Sequence, residues 1–290
     1  MSAAVNHAEQ SRHATLADAA RRISSPAAVR ELWKGGRISP RARCVLADNP
    51  SALTFIGTNT WILSEPGETG CVVVDPGPAI EQHLEAISAA VSEEGLQVST
   101  VVLTHDHVDH AEGAQTFADR VGAPLLARNA GNLPDGPLKV ADSSLRVEVI
   151  SLPGHSSDSV GFVLPDDGTA VTGDFIFLQS STLICWPDGS LSDYLESLSA
   201  LRSLVGAQGI HTLLTAHGLP IVEPLDVIDR QVAHRERRLN EIRSAIEGGA
   251  GNDLEAVLAR VYEDVGAPLS PAVRLNVQAQ MAYLEERGEL

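Results

Sequence analysis

Cysteine is scarce. Cys44, Cys71 and Cys185 are the only three, far apart, odd in number and without a C-x-x-C pair, which fits reduced thiols and excludes a disulfide framework. Cys71 opens the apolar run "CVVVD" and reads as a small buried hydrophobe. Long hydrophobic runs are also missing: no window is apolar enough to span a bilayer. The opening stretch "MSAAVNHAEQSRHATLADAARR" lacks the apolar core of a secretory signal, so a soluble, cytoplasmic chain with no membrane partner is expected. Positive charge is short, with 21 Lys and Arg against 38 Asp and Glu and a net charge of −17. That balance argues against a broad attraction to nucleic acid or anionic lipid, and leaves room only for a local basic groove. Low-complexity tracts and internal repeats are absent as well. The 290 residues suffice for one large domain, or a medium domain with a small appendage.

What is present is an alternation of strand and helix patterns. Residues 1–48 are rich in Ala, Arg and Ser, with helical spacing in "TLADAARRI" and "PAAVRELWKGG" but no core pattern, and are expected to be an extension. From Leu53 the texture becomes β-rich: "TFIGTNTWILSE" and "CVVVDPG" flank the turn "EPGETG" as an antiparallel pair. A helix over "AIEQHLEAISAAVSEEG", the strand "VSTVVL" and a helix in "GAQTFADRVGAP" follow. Strands resume in "APLLAR", "LRVEVISLPG", "SVGFVLPDDGTAVTGD", with a hairpin at Asp-Asp-Gly, and "HTLLTAHG", with the helix "SDYLESLSALRSLVG" between the last two. Such alternation predicts a layered α/β architecture with helices covering sheet faces. After Pro224 the strand patterns stop and a long helix, ended by glycines, leads into further helices.

Chemistry concentrates in "THDHVDH", Thr104 to His110, directly after "VSTVVL". Read singly, each of these histidines would be a surface or packed residue. Together, so many polar and ionisable groups beside a buried strand would be costly without a ligand to compensate them. On a loop leaving a strand end, His105 and His107 can turn toward one point while Asp109 and His110 reach a second, so two adjacent metal ions are favoured over one. His155 in "SLPGHSSDS", Asp174 in "AVTGDFIF" and His217 in "LLTAHG" each follow a β-rich run, where layered α/β folds gather ligands.

The series "THDHVDH", "PGHSSDS", "TGD" and "AHG", in this order and at these separations, resembles the metallo-β-lactamase superfamily over residues 52–224. The resemblance implies an αββα sandwich. It also implies that His105, His107 and His155 bind one metal, that Asp109, His110 and His217 bind the other, and that Asp174 bridges them. "GTNTWIL", "VVVDPG", "DGSLSDYLESL", "AHRERRLNEI" and "NVQAQMAYLEERGEL" are similar to the branch containing the lactamase-beta-like endoribonucleases, which adds a small C-terminal winged-helix domain. The implied division is an extension over 1–48, the sandwich over 49–224 and winged-helix-like helices over 225–290. Two departures are "AEGA" where the family often has Gly-Gly, and "AHG" where it has "GHG"; neither removes a ligand.

Two divalent ions sharing a water lower its pKa toward neutrality and leave a position to polarise an electrophile. Hydrolysis by a metal-bridging hydroxide is therefore expected, with Asp109 and Asp174 as the catalytic residues. Zinc is the first expectation, although a mixed His/Asp set also accepts manganese or iron. Asp75 in "VVVDPG" reads equally as a carboxylate orienting a metal-bound histidine and as a turn former, and Asn59 as turn chemistry or a pocket residue. His7, His13, His83, His211 and His234 are expected to be solvated or partly packed. The branch resemblance makes single-stranded RNA the first substrate, with "HRERR" and Arg243 as a cationic strip. The alternative is a small-molecule ester or thioester, as in the glyoxalase II relatives, and a nucleic-acid-binding module with a relic metal site is a third reading. A β-lactamase is disfavoured, because those relatives carry Cys or Ser where Asp174 stands and are exported. The acidity and helical tail permit a homodimer without requiring one.

Overall fold

The computed structural model describes residues 25–263 and 270–290; the helical spacing noted in "TLADAARRI" lies outside them. The chain opens with α1 (Pro26–Leu32), capped by the Ser25 hydroxyl. The first sheet contains β1 (Gly36–Ser39), β2 (Ala42–Leu46), β3 (Asn59–Ser64), β4 (Gly70–Val74), β5 (Gln97–Val102) and β6 (Leu125–Leu126) in that spatial order. β1 through β4 pair antiparallel, and β4, β5 and β6 run parallel. α2 (Glu81–Glu93) connects β4 to β5, while the short α3 (Val108–Ala111) and α4 (Ala114–Val121) connect β5 to β6.

β7 (Gly136–Leu138), β8 (Val147–Ser151), β9 (Val160–Leu164), β10 (Thr169–Gly173) and β11 (Thr212–Thr215) form the second sheet, antiparallel except that β10 and β11 run parallel across α5 (Leu191–Gln208). The expected hairpin joins Leu164 and Thr169. The chain then continues through α6 (Pro224–Ala245), a π-helical turn (Ile246–Ala250), α7 (Leu254–Val261) and α8 (Pro271–Glu286).

Side-chain alternation explains the layering. Along β3, Trp61 and Leu63 meet Val72 and Val74 of β4 and Phe162, Leu164, Val171 and Leu214 of the other sheet in one buried cluster. Ile62, Cys71 and Val73, one residue out of phase, face the opposite way and pack on Leu84, Ile87 and Phe117 of α2 and α4. The outer face of the second sheet, through Val163, Ala170 and Leu213, packs on α5. Helix, sheet, sheet and helix are therefore the four layers, the αββα sandwich expected from the sequence.

One region differs in detail from its sequence reading. Residues 26–46, read as part of an extension without a core pattern, supply α1, β1 and β2, and Val29, Trp33, Ile38, Ala42 and Cys44 are buried between the sheets. Their apolar positions are too few and too short-ranged to declare a strand pair alone, and register with β3 supplies what the local pattern lacks. After Pro224, by contrast, the described residues hold helices and no strand, as the sequence pattern predicted. Leu239, Ile242, Val257, Val277 and Leu284 from these helices share a single apolar cluster with α5 and the second sheet.

Candidate metal centre

Strand polarity gathers the polar residues. β4 and β5 are parallel, so Asp75 and the loop carrying His105 to His110 leave the same sheet edge. In the second sheet β8 and β10 run the same way, each antiparallel to β9, and β11 follows β10. His155, Asp174 and His217 therefore emerge together, and the backbone bonds Val160 N to Thr104 O and Asn59 N to Ala216 O lock the two edges to each other.

All seven expected ligands meet there. Three groups of donor atoms could each hold an ion: His105, His107 and His155; His105, His110 and Asp174; and Asp109, His110 and His217. The His105 and His155 Nε2 atoms each lie 3.0 Å from His107 Nδ1. On the other side, Asp109 Oδ2 is 3.4 Å from His110 Nε2 and 3.2 Å from His217 Nε2. Asp174 stands between, with Oδ1 at 3.3 Å from His110 Nε2 and 3.2 Å from His217 Nε2, and Oδ2 at 3.7 Å from His155 Nε2.

The arrangement fits a metal on the molecule's own evidence. His110 Nε2, His217 Nε2 and Asp174 Oδ1 are buried, close together and without a hydrogen-bond partner among the described residues. Atoms so placed crowd one small volume that could hold an ion. Unsatisfied buried polar atoms are costly, and a cation there removes the cost.

The opposite face of each ring is anchored. His155 Nδ1 donates to Leu183 O at 2.6 Å, and His217 Nδ1 donates to Gly57 O at 3.2 Å. His110 Nδ1 donates to Asp75 Oδ2 at 2.8 Å. Thr104 Oγ1 gives its proton to Asp75, so His105 Nδ1 must donate to that hydroxyl, 3.1 Å away. The four rings are thereby oriented so that each, when neutral, presents its Nε2 lone pair to the centre, the form a metal requires. Asp75 therefore orients His110 as well as turning the chain, at a left-handed φ of 51°.

Electrostatics divides the site. Burial, only partly opposed by Asp174, pushes His155 down to about 4, and burial together with the neighbouring imidazoles holds His105 well below the ordinary histidine range. On the other side burial opposes charge, but Asp174 and its neighbouring carboxylates prevail, raising His217 to about 9 and His110 well above its usual value. Despite burial, those imidazoles in turn keep Asp109 and Asp174 well below the usual carboxylate range. Without an ion, two imidazolium protons thus balance two carboxylates.

Backbone freedom is needed at Gly173, which has a φ of 53° and where a Cβ would lie 2.7 Å from Thr104 Oγ1. Asn59, read as turn chemistry or a pocket residue, is neither. It is fully buried at the start of β3, where its amide donates to Thr215 O and Gly218 O, both at 3.0 Å, and accepts from the Trp33 indole, holding the loop that carries His217. His83, expected to be solvated or partly packed, is buried 2.8 Å from Thr60 Oγ1, whose hydroxyl donates to Asp75 O. Its place in an amphipathic helix was legible; its partners, far away in the chain, were not.

The centre opens into a cleft of about 550 Å³ lined by Leu53, Val108, Phe177, Leu183 and Val273 among others, with no Lys or Arg among its described lining residues. Leu53 and Val108, at 69% and 68% exposure, are the large apolar side chains left most open to solvent among the described residues. The residues expected to form a cationic strip do not reach it. Arg235 is buried, Arg238 pairs with Glu241 and stacks on Tyr262, and Arg243 pairs with Glu289. Cys185 lines the cleft, but burial pushes its thiol up to about 12, so it is no nucleophile at neutral pH. Among the described residues no helix is long and apolar enough to cross a membrane.

Comparison with known proteins adds four findings. A family model described as the metallo-beta-lactamase superfamily matches residues 53–132. The chain is 25% identical to the beta-lactamase-like protein 2 homolog of Drosophila melanogaster over 271 residues, covering 85% of this chain and 88% of the relative. It is 30% identical to the atrochrysone carboxyl ACP thioesterase nsrC of Aspergillus novofumigatus over 226 residues, covering 74% and 67% respectively. Among solved structures, a beta-lactamase domain protein from Burkholderia ambifaria superposes with a TM-score of 0.72 at 21% identity, over 88% of this chain and 89% of that one.

Proposed function

The chain belongs to the metallo-β-lactamase superfamily and is a metal-dependent hydrolase, and on that premise we propose that it is a binuclear enzyme cleaving acyl thioesters. His105, His107 and His155 would hold one ion, Asp109, His110 and His217 the other, and Asp174 both. The observation that carries this reading is the placement of Asp174, whose two oxygens face the two histidine groups. A pair of divalent ions, zinc by the ligand chemistry, supplies Lewis acidity and a water acidified toward neutrality.

The chain's own residues do the rest. Asp109 and Asp174, both held ionised, accept hydrogen bonds from water and orient it, while protons leave through the open cleft. Phe177, Leu183 and Val273, with Leu53 and Val108 at the mouth, enclose the apolar part of a substrate and exclude water from it. That lining favours an acyl chain over RNA, because a phosphodiester backbone calls for Lys or Arg beside the reacting group and the cleft offers none among its described residues. The thioesterase name of a relative points the same way. Three cysteines outside any disulfide suit a reducing cytoplasm.

The test is to incubate the zinc-loaded chain separately with an acyl thioester and with single-stranded RNA, using Asp174→Ala as the blank, after measuring metal content. We expect about two ions per chain, thioester turnover above the blank and intact RNA. RNA cleavage without thioester turnover would transfer the reading to the endoribonuclease branch, and a metal content near zero would remove the hydrolytic centre.

A further inference from the structure

The C-terminal helices close one side of the cleft, where α8 presents Val273 and Asn276. Asn276 is the cleft's only side-chain amide among the described residues. Behind it lies Arg235 of α6, fully buried, whose Nη1 donates to Asn276 Oδ1 at 3.1 Å. Its Nη2 donates to Thr182 O, and the guanidinium lies 5.0 Å from the Tyr194 ring centre. No carboxylate pairs with this cation among the described residues; Tyr194 and Arg238 are the charged or ionisable groups that act on it.

A guanidinium only donates, so it removes the usual ambiguity of an asparagine amide. Oδ1 faces Arg235, with Ile184 N a second, longer donor at 3.4 Å, so Nδ2 occupies the other side of the planar amide of a residue that lines the cleft. No described protein group accepts from Nδ2, whereas the backbone carbonyl of Asn276 is already taken by Gln280. A desolvated positive charge on the amide oxygen also draws electron density from the nitrogen, which strengthens its N–H as a donor.

We propose that Asn276 is a specificity-determining residue whose amide donates to a carbonyl oxygen along the substrate's acyl chain, with Arg235 as the residue that positions it. The inference rests on the acyl-substrate reading above. An acceptor-bearing chain gives this donor a partner, and a plain alkyl chain of the same length takes it out of water without replacing its bond. Discrimination between the two follows from the unpaired group.

The test uses stable ligands, so that binding is read apart from turnover. Isothermal titration calorimetry on the zinc-loaded full chain compares 3-oxobutanoyl and butanoyl amides of the same amine, in which NH replaces the thioester sulfur. The wild type should prefer the 3-oxo ligand by about tenfold, the effect of one hydrogen bond to a desolvated donor. Asn276→Asp keeps an oxygen for Arg235 and supplies the carboxylate it lacks, so its melting temperature should hold or rise while the preference falls within about twofold. Asn276→Ser is run beside it and should lose the preference as well. Binding of both ligands without discrimination by the wild type, or discrimination retained in both variants, overturns the donor role. Binding of neither ligand by the wild type instead overturns the acyl-substrate reading, and the inference with it.

Discussion

Asp75 offers a sharp test of how the centre is held, because it touches no candidate ion and acts through rings it orients, His110 directly and His105 by way of Thr104. Thr104 N and Thr104 Oγ1 both donate to its carboxylate at 2.7 Å, and His110 Nδ1 donates at 2.8 Å. Asp75→Asn preserves shape, and asparagine tolerates the left-handed φ of 51°. One oxygen remains for Thr104 N, but Oδ2 becomes an NH2 group facing the other two donors. Thr104 Oγ1 can rotate to accept. His110 can relieve the clash only by presenting a lone pair at Nδ1, which moves its proton to Nε2, the atom 3.3 Å from Asp174 Oδ1. The nitrogen that should face the metal is then protonated. Loss of such an orienting partner typically costs about 10- to 100-fold in affinity, or about 1.4 to 2.7 kcal/mol. Competition against a chromophoric zinc chelator resolves two binding steps, and the weakening should fall mainly on the ion held by Asp109, His110 and His217. If both zinc affinities of the folded variant stay within about twofold of wild type, the assigned tautomer chain is wrong.

Three further outcomes follow from the charges. With His217 at about 9 and His110 also raised, zinc titration near pH 7.5 should release about two protons, measured by calorimetry in buffers of different ionisation enthalpy. In the metal-free chain the same raised histidines contribute stability that is complete below about pH 6.5 and lost as pH rises through about 9, so apo stability should fall across that window. His83 has the opposite sign: burial holds it at about 4, so it favours unfolding as pH drops from about 6.5 to 4, by up to about 3 kcal/mol. His83→Leu should flatten that acid limb in denaturant titrations, and an unchanged slope would refute the assignment.

The strand ends were legible because period-two apolar runs stop abruptly at "THDHVDH", "PGH", "TGD" and "AHG", and a run of ligand-type residues beside a buried strand has few inexpensive explanations. Asn59, His83 and Asn276 carried no such mark. A single Asn or His reads as turn, surface or cap until its distant partners are known. The same holds for residues 36–46, whose strands exist by pairing with β3.

Local sequence therefore determined which side chains were available for metal chemistry and which strand ends would present them, since alternation and turn residues act over a few positions. Tertiary structure alone decided that Asp174 faces both histidine groups, that Arg235 is buried without an acid among the described residues and that Asn276 lines the cleft. The physical reason is that a polar group's role is set by what desolvates it and what it bonds, and those neighbours come from far along the chain.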